Sequence, residues 1–70
     1  MIKVGDRFRT KRGQRRLYEV WEITECDDGS PGHWFCTFLS VRKDGTRFYN
    51  YSFVHIIIAD DVAPLGMEVA

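Results

Sequence analysis

The sequence predicts an all-β protein built on a strongly bent, five-stranded antiparallel sheet. Runs rich in β-branched and aromatic residues alternate with turn pairs such as Gly5-Asp6, Arg12-Gly13 and Asp44-Gly45, a pattern typical of small antiparallel β proteins. No segment carries apolar residues at helical spacing over three turns. The 70 residues are 44% hydrophobic and have no net charge, which favours one folded domain over a disordered chain.

The five expected strands follow the β-rich runs along the chain. They lie near Arg7–Thr10, Leu17–Thr24, His33–Arg42, Thr46–Ser52 and Val54–Ala59. We assign residues 1–61 to the domain. Residues 62–70 contain Pro64 and Gly66, which interrupt strand pairing, so we expect a C-terminal tail that is loosely ordered or contacts a partner subunit.

Asp44-Gly45 predicts a tight hairpin, because glycine accepts the positive φ that such turns require. A two-residue turn places Arg42 opposite Arg47, and like charges directly opposite each other are unfavourable. A three-residue loop of residues 43–45 avoids this contact, and we prefer it. That register places Phe35, Leu39, Val41, Tyr49, Tyr51 and Phe53 on one face. The opposite face then receives Trp34, Cys36, Phe38 and Phe48.

These strands carry more apolar surface than one small barrel can hide. A small barrel has a single interior, so its outward face should be largely polar. Residues 53–59 are also apolar on both faces, apart from His55. Exposed apolar patches mark interfaces, so we predict a homo-oligomer. Its predicted interface consists of Trp34, Phe38, Ile56, Ile57 and Ile58.

Zero net charge conceals a strong separation of charge along the chain. Residues 1–16 hold seven basic residues and one acid, a net charge of +6, and the remainder carries −6. A basic N-terminal hairpin favours an anionic partner, either nucleic acid or an acidic protein surface. The alternative is that its arginines pair with the acids of residues 19–28. The predicted binding residues are Arg7, Arg9, Lys11, Arg12, Arg15 and Arg16, together with Trp34 and Tyr49 as aromatic surfaces for stacking.

Motifs of catalysis and of metal binding are absent from the sequence. It contains no phosphate-cradling glycine loop of Walker type, no Gly-x-Ser-x-Gly and no His-Glu-x-x-His. Cys26, His33, Cys36 and His55 lack the close cysteine pair of structural zinc sites. We therefore expect a non-catalytic protein without cofactor or metal.

The location predicted from the sequence is the cytoplasm. No apolar run reaches the length of a membrane span, and the basic N-terminus has no apolar stretch behind it, unlike a secretory signal. Two cysteines in a chain of this size are best interpreted as reduced thiols.

The order of these signals resembles SH3-like barrels. Val4–Phe8 matches the opening of the first strand, Tyr18–Ile23 the second, Trp34–Val41 the third, Asp44–Thr46 the tight turn and Phe53–Ile58 the closing segment. Residues 2–61 are in this respect similar to the small barrels of phage and prophage genomes and to Tudor-type and KOW-type modules. The resemblance implies a five-stranded small barrel and a binding role, and it implies no catalytic residue.

Three kinds of function remain open at this point. The first is a binding module whose basic hairpin contacts an anionic partner. The second is a homo-oligomer that sequesters a small anionic ligand, such as a nucleotide, between its subunits. The third is a protein-directed inhibitor or adaptor, for example a viral one.

Overall fold

A computed structural model describes the backbone of residues 2–25, 33–58 and 63–70, and the side chains of residues 2–25, 33–49 and 63–70. Within these ranges the chain is all-β and contains no helix. All pairings of neighbouring strands are antiparallel, in one sheet of order β4-β3-β2-β1-β5. The strands are β1 (Arg7–Thr10), β2 (Leu17–Glu25), β3 (His33–Val41), β4 (Arg47–Ile58) and β5 (Met67–Val69). The predicted fold class is thus confirmed as an antiparallel sheet of five strands.

The last two strands differ from the prediction. The expected strands Thr46–Ser52 and Val54–Ala59 form the single strand β4, which ends at Ile58. The fifth strand is β5, which pairs with β1. Residues 67–69 of the expected tail therefore form a strand of the sheet.

Pro64 and Gly66 build the turn before β5 instead of interrupting a strand. The Met67 amide donates to the Pro64 carbonyl at 2.9 Å, and the Lys11 amide donates to the Gly66 carbonyl at 2.9 Å. Gly66 has a φ of 81°, a conformation that a residue without a Cβ adopts at little cost. The turn delivers the Met67 side chain into the core.

The sheet is open and strongly curved. β4 and β5 are its two edges and do not pair with each other, so the five-stranded barrel is not confirmed. Curvature follows from side-chain contacts between strands that are not neighbours. Arg47 of β4 reaches Glu19 of β2 across β3, and Arg7 of β1 donates to the Gly45 carbonyl in the β3–β4 turn.

Two bulges contribute to the curvature. In β2, Trp21 lies between the pairs Val20–Phe38 and Glu22–Thr37 and has no partner of its own in β3. In β4, Phe48 lies opposite Ser40 and Ser52 lies opposite Leu39, so residues 49–51 have no partner in β3. Extra residues on one strand increase its local twist and bend it.

The hairpin between β3 and β4 has the predicted three-residue loop. Val41 pairs with Arg47, the Arg42 amide donates to the Thr46 carbonyl at 2.9 Å, and Gly45 has a φ of 90°. The Asp44 carboxylate accepts bonds from the Thr46 hydroxyl at 2.7 Å and the Thr46 amide at 3.0 Å. These two hydrogen bonds, the hydroxyl first, hold the pKa of Asp44 below its ordinary value.

One face of the sheet carries the hydrophobic core. Phe38 and Cys36 are fully buried there, and the Phe8 and Phe38 rings meet edge to face with centroids 6.2 Å apart. The predicted outward placement of Cys36 and Phe38 is therefore wrong, because β1 and the unforeseen β5 cover this side of β3. The core cluster consists of Phe8, Tyr18, Val20, Cys36, Phe38 and Met67.

The other face of the sheet is partly covered as well. Leu39 and Val41 are buried, as is Glu19, whereas Phe35 is exposed. Trp34 is half-buried and packs against the core. Of the predicted oligomer interface, Phe38 is thus inaccessible to another subunit, and the side chains of residues 56–58 lie outside the described residues.

Candidate anion-binding groove

A concave surface lies at one end of the sheet, between the β1–β2 connection and the β3–β4 hairpin. The two segments are neighbours because the sheet register pairs Leu17, the first residue of β2, with Val41, the last of β3. The concavity has a volume of about 1050 Å³. The residues that line it are Arg9, Gln14, Arg15, Arg16, Leu17, Ser40, Val41, Arg42, Lys43 and Phe48. We call this surface the basic groove.

The basic groove has a strongly one-sided charge. Five of its described lining residues are cationic and none is acidic. They come from two segments far apart in sequence, residues 9–16 and residues 42–43. Cations that line one concave surface reinforce each other's field there, so the groove attracts anions.

The arginines from the β1–β2 side are held by contacts to the backbone and to β5. Arg9 Nη1 donates to the Arg15 carbonyl at 3.1 Å. Arg15 itself has a φ of 51°, and its guanidinium pairs with Glu68 of β5. This pair is solvent-exposed, and exposed pairs are weak, so an anion in the groove can compete for Arg15. Arg16 is exposed and makes no ion pair with another described side chain.

An aromatic ring and a guanidinium lie together on the hairpin side. The guanidinium carbon of Arg42 is 4.8 Å from the centroid of the Phe48 ring. Arg42 Nη1 also donates to the Thr46 hydroxyl and to the Arg47 carbonyl, each at 3.3 Å. Arginine stacked on an aromatic ring keeps part of its hydrogen-bonding edge for a ligand. The groove therefore offers both charge and a flat apolar surface.

Only half of the basic residues predicted from the N-terminal hairpin line the groove. Arg9, Arg15 and Arg16 do, whereas Lys11 and Arg12 are exposed outside it. Arg7 instead pairs with Glu19, with Nε 3.1 Å from Oε1. Of the described acids in residues 19–28, Glu19 is the one that pairs with an N-terminal arginine, so within the described residues the alternative of charge neutralisation applies to Arg7.

The two predicted stacking residues lie elsewhere in the fold. Trp34 is near the start of β3, at the opposite end from the groove, and its ring packs against the core. Its indole N–H is buried without a hydrogen-bond partner. Tyr49 is 60% exposed and meets Trp21 edge to face, with ring centroids 5.4 Å apart.

Among the charged and aromatic residues of the groove, the sequence analysis missed three, namely Arg42, Lys43 and Phe48. Their signal was present in the sequence, because Arg42-Lys43 flanks the well-predicted turn at Asp44-Gly45. In an antiparallel meander, the turn after the third strand lies at the same end as the turn after the first. Together with the charge pattern, this rule predicts that the basic β1–β2 connection and the basic β3–β4 turn lie side by side.

A second charged cluster lies between β1, β2 and β4. The Glu19 side chain is only 5% exposed, and its two oxygens accept from Arg7 Nε at 3.1 Å and from Arg47 Nε at 2.6 Å. The interactions with Tyr49 and with Glu19 raise the pKa of the Arg47 guanidinium. Two guanidiniums against one carboxylate leave this cluster with a net charge of +1.

Other types of site find little support in the part of the chain that the structure describes. No group of three potential metal ligands occurs among the described His, Cys, Asp and Glu residues. Cys36 is a free thiol, and burial raises its pKa. Cys26 lies outside the described residues, as does the His55 side chain. A helix of the length and apolarity needed to cross a bilayer is likewise not found in the described residues.

Comparison with known proteins adds no relative. No family model, curated protein or solved structure matches this chain. Its function is therefore argued from the geometry of the basic groove.

Proposed function

We propose that this protein is a non-catalytic module that binds nucleic acid through the basic groove. The observation that carries the proposal is the lining of the groove, with five cations from two separate segments and no acid among the described residues. A phosphate backbone meets such a surface with several charges at once and releases counterions as it binds. The site is thus wider than the N-terminal hairpin and includes the tip of the β3–β4 hairpin.

Nucleic acid fits the groove better than an acidic protein surface does. Four of the five cations are arginines, whose planar guanidinium matches phosphate geometry. Phe48 adds an aromatic ring beside Arg42, and basic grooves that contain aromatic rings are typical of proteins that bind single strands. An acidic peptide could pair with the cations of the groove, but it has no base that could stack on the Phe48 ring.

A small anionic ligand such as a nucleotide is the second candidate. It is favoured by the volume of the groove, about 1050 Å³, which is close to the upper end of ligand pockets. Binding between two subunits of a homo-oligomer would enclose such a ligand.

The resemblance to SH3-like barrels forms part of the proposal. The curved, open sheet would be a variant of that barrel in which β5, rather than a strand within residues 54–59, pairs with β1. A nucleic-acid-binding module with the reduced thiol of Cys36 would act in the cytoplasm, where thiols remain reduced.

Fluorescence polarisation with labelled oligonucleotides over a salt series tests the proposed function. The test variant is the double substitution Arg16→Ala/Lys43→Ala, which removes two groove cations from the two different segments. The matched control is Lys11→Ala/Arg12→Ala, which removes the same charge from exposed positions outside the groove lining. All four side chains are exposed, so neither variant should unfold the protein.

The groove model predicts different results for the two double variants. The groove variant should bind at least about tenfold more weakly, since charge-assisted contacts contribute roughly 1.5 kcal/mol or more each. Its log–log salt slope for single strands should fall by about 1.4, at about 0.7 for each lost phosphate contact. Equal effects of both variants would indicate an unspecific charge effect. Absence of wild-type binding below about 100 µM at low salt would contradict nucleic-acid binding. Full competition by a mononucleotide would instead favour the small ligand.

A further inference from the structure

The aromatic pair formed by Trp21 and Tyr49 is the most unusual surface feature outside the basic groove. Trp21 is 42% exposed and Tyr49 is 60% exposed, and their rings meet at an interplanar angle of 79°. Trp21 belongs to β2 and Tyr49 to β4, so the pair bridges over β3. Large aromatic side chains that remain exposed after folding offer apolar area that a partner can bury.

Both residues occupy positions created by the two bulges. Trp21 is the extra residue of the β2 bulge, and Tyr49 is the first residue of the extra segment in β4. Bulges redirect side chains and are over-represented beside binding and active sites. Two separate irregularities therefore bring these two rings together.

The charged cluster of Glu19, Arg7 and Arg47 lies beside the aromatic pair. Tyr49 is two positions after Arg47 in β4, and Arg47 Nε donates to the buried Glu19 carboxylate at 2.6 Å. The contacts continue from Glu19 to Arg7 and from Arg7 to the Gly45 carbonyl. The ring contact with Trp21 restricts the Tyr49 side chain, and a side chain that is restricted before binding loses less conformational entropy when a ligand stacks on it. The excess positive charge of the cluster also favours an anionic ligand nearby.

The pair is adjacent to the basic groove along the chain. Tyr49 directly follows Phe48, which lines the groove, and consecutive side chains of a strand point to opposite faces of the sheet. β4 is an edge strand, so a flexible single strand can pass over this edge from the groove to the pair. In an edge-to-face pair, one ring points its edge at the other and leaves its own faces uncovered by that contact. A base can therefore stack on the pair while phosphates of the same strand lie in the groove.

We propose that Trp21 and Tyr49 form a stacking platform for a base of single-stranded nucleic acid whose phosphates occupy the basic groove. This inference rests on the proposed function and narrows it from nucleic acid in general to single strands, because duplex bases are stacked on each other and inaccessible to the rings. In this proposal Trp21, and not the Trp34 predicted from the sequence, stacks with Tyr49 on a base, because Trp34 packs against the core at the other end of β3.

The test compares an oligo(dT) with an abasic oligodeoxynucleotide of the same length. The two probes carry the same phosphates, and only the first carries bases. The variants are Tyr49→Ala, which removes the ring, and Tyr49→Phe, which keeps the ring and removes only the hydroxyl. Thermal melts of both variants verify that the fold is retained.

The expected result is a selective loss of base recognition. Tyr49→Ala should weaken oligo(dT) binding by about 5-fold to about 100-fold, the range that stacking of roughly 1–3 kcal/mol per base gives. It should leave the abasic probe unchanged, and Tyr49→Phe should bind oligo(dT) within a factor of about 3 of wild type, since the ring is retained. In a Trp34→Phe background, the emission of Trp21 should be quenched by oligo(dT) and not by the abasic probe.

The outcomes separate this inference from the proposed function. If wild type binds both probes and Tyr49→Ala weakens neither, or weakens both equally, the stacking platform is refuted while the basic groove stands. If wild type binds neither probe, the proposed function fails and the platform fails with it. Preference of wild type for a duplex over oligo(dT) would also refute the platform.

Discussion

Replacement of Glu19 by glutamine should measure how strongly one buried carboxylate holds the curved sheet together. Glu19 is the buried acidic residue among the described residues, and it lies on the face of the sheet opposite the hydrophobic core. Glu19 lies in β2 and joins this strand to β1 and β4, because Arg7 of β1 and Arg47 of β4 both donate to its carboxylate. Glu19→Gln keeps the size of the side chain and removes its charge, so packing is nearly unchanged.

The magnitude follows from the geometry of the two contacts. Hydrogen bonds to charged groups contribute roughly 1.5–3 kcal/mol each. The two guanidinium side chains are 37% and 46% exposed, so water replaces part of what they lose, and the glutamine oxygen still accepts one bond. We therefore expect a loss of about 2 kcal/mol, less than the roughly 3–5 kcal/mol of a broken pair that is buried on both sides.

A loss of this size is large for so small a domain. At roughly 0.05–0.15 kcal/mol per residue, a chain of this length has a total stability on the order of 4–10 kcal/mol. The melting temperature should fall by about 8–16 °C, at about 4–8 °C for each kcal/mol. Urea denaturation should show a lower midpoint with an unchanged slope.

The matched control is Glu22→Gln, in the same strand. Glu22 is exposed and makes no ion pair with another described residue, so its replacement should change the free energy of unfolding by less than about 0.5 kcal/mol. The inference that Glu19 holds the curvature is refuted if the two variants melt at the same temperature.

Three further predictions concern the core, the thiol and the hairpin. Phe38→Ala, at a fully buried position, should cost about 3–5 kcal/mol, so the melting temperature followed by circular dichroism should fall by at least about 12 °C; an unchanged melting temperature would contradict the placement of Phe38 in the core. In a Cys26→Ser background, the Cys36 thiol should react slowly with a thiol reagent at pH 8, because burial raises its pKa, and urea should accelerate the reaction. The Asp44 carboxylate should stabilise the fold above the ordinary aspartate pKa of about 3.9, and this stabilisation should be lost as pH falls through its lower pKa in the folded protein. The difference in melting temperature between wild type and Asp44→Asn should therefore narrow below about pH 4. A difference that persists there would refute the role of the carboxylate.

The sequence predicted local features of the fold better than its distant contacts. The first three strands and the Asp44-Gly45 loop depend on residue types that act over a few positions. Each of these strands was predicted to within one residue at both ends, and the loop has the predicted length. β5 was missed because its three residues have a weak β pattern and follow a proline. Its stability comes from pairing with β1, a segment almost sixty residues earlier, and no local pattern reveals that.

The faces of β3 were assigned wrongly for a related reason. The alternation of side chains along a strand predicts which residues share a face. This prediction is correct for Cys36 and Phe38, which lie on the same face. It does not say which face is covered. That depends on β1 and β5, which bring Phe8 and Met67 over this side. The bulge in β4 also moves Tyr49 away from the partner that a regular hairpin would give it.

The candidate site was predicted in part. Charge counting identified Arg9, Arg15 and Arg16, which line the groove. It also identified Arg7, which the buried Glu19 neutralises. Only the register between β2 and β3 shows that Arg42 and Lys43 face the same concavity, since they lie more than twenty residues from the N-terminal cluster.

Net neutrality is compatible with the proposed binding of a polyanion, because the exposed acids of β2 lie away from the basic groove. β2 begins at Leu17 beside the basic groove and ends at Glu25, and a strand of that length spans about 25 Å. At physiological ionic strength, exposed charges are screened beyond about 8 Å. The exposed acids Glu22 and Glu25 should therefore contribute little to the potential in the groove.

This separation gives a prediction about affinity that depends on salt. Glu22→Gln/Glu25→Gln raises the net charge by 2 without touching the groove. At 0.15 M salt its affinity for oligo(dT) should be within about twofold of wild type, whereas at 0.01 M salt, where the screening length is about 30 Å, binding should become clearly tighter. If the double variant binds much more tightly at both ionic strengths, net charge rather than the groove controls binding. The reasoning from local charge would then be refuted, even if nucleic acid is the partner.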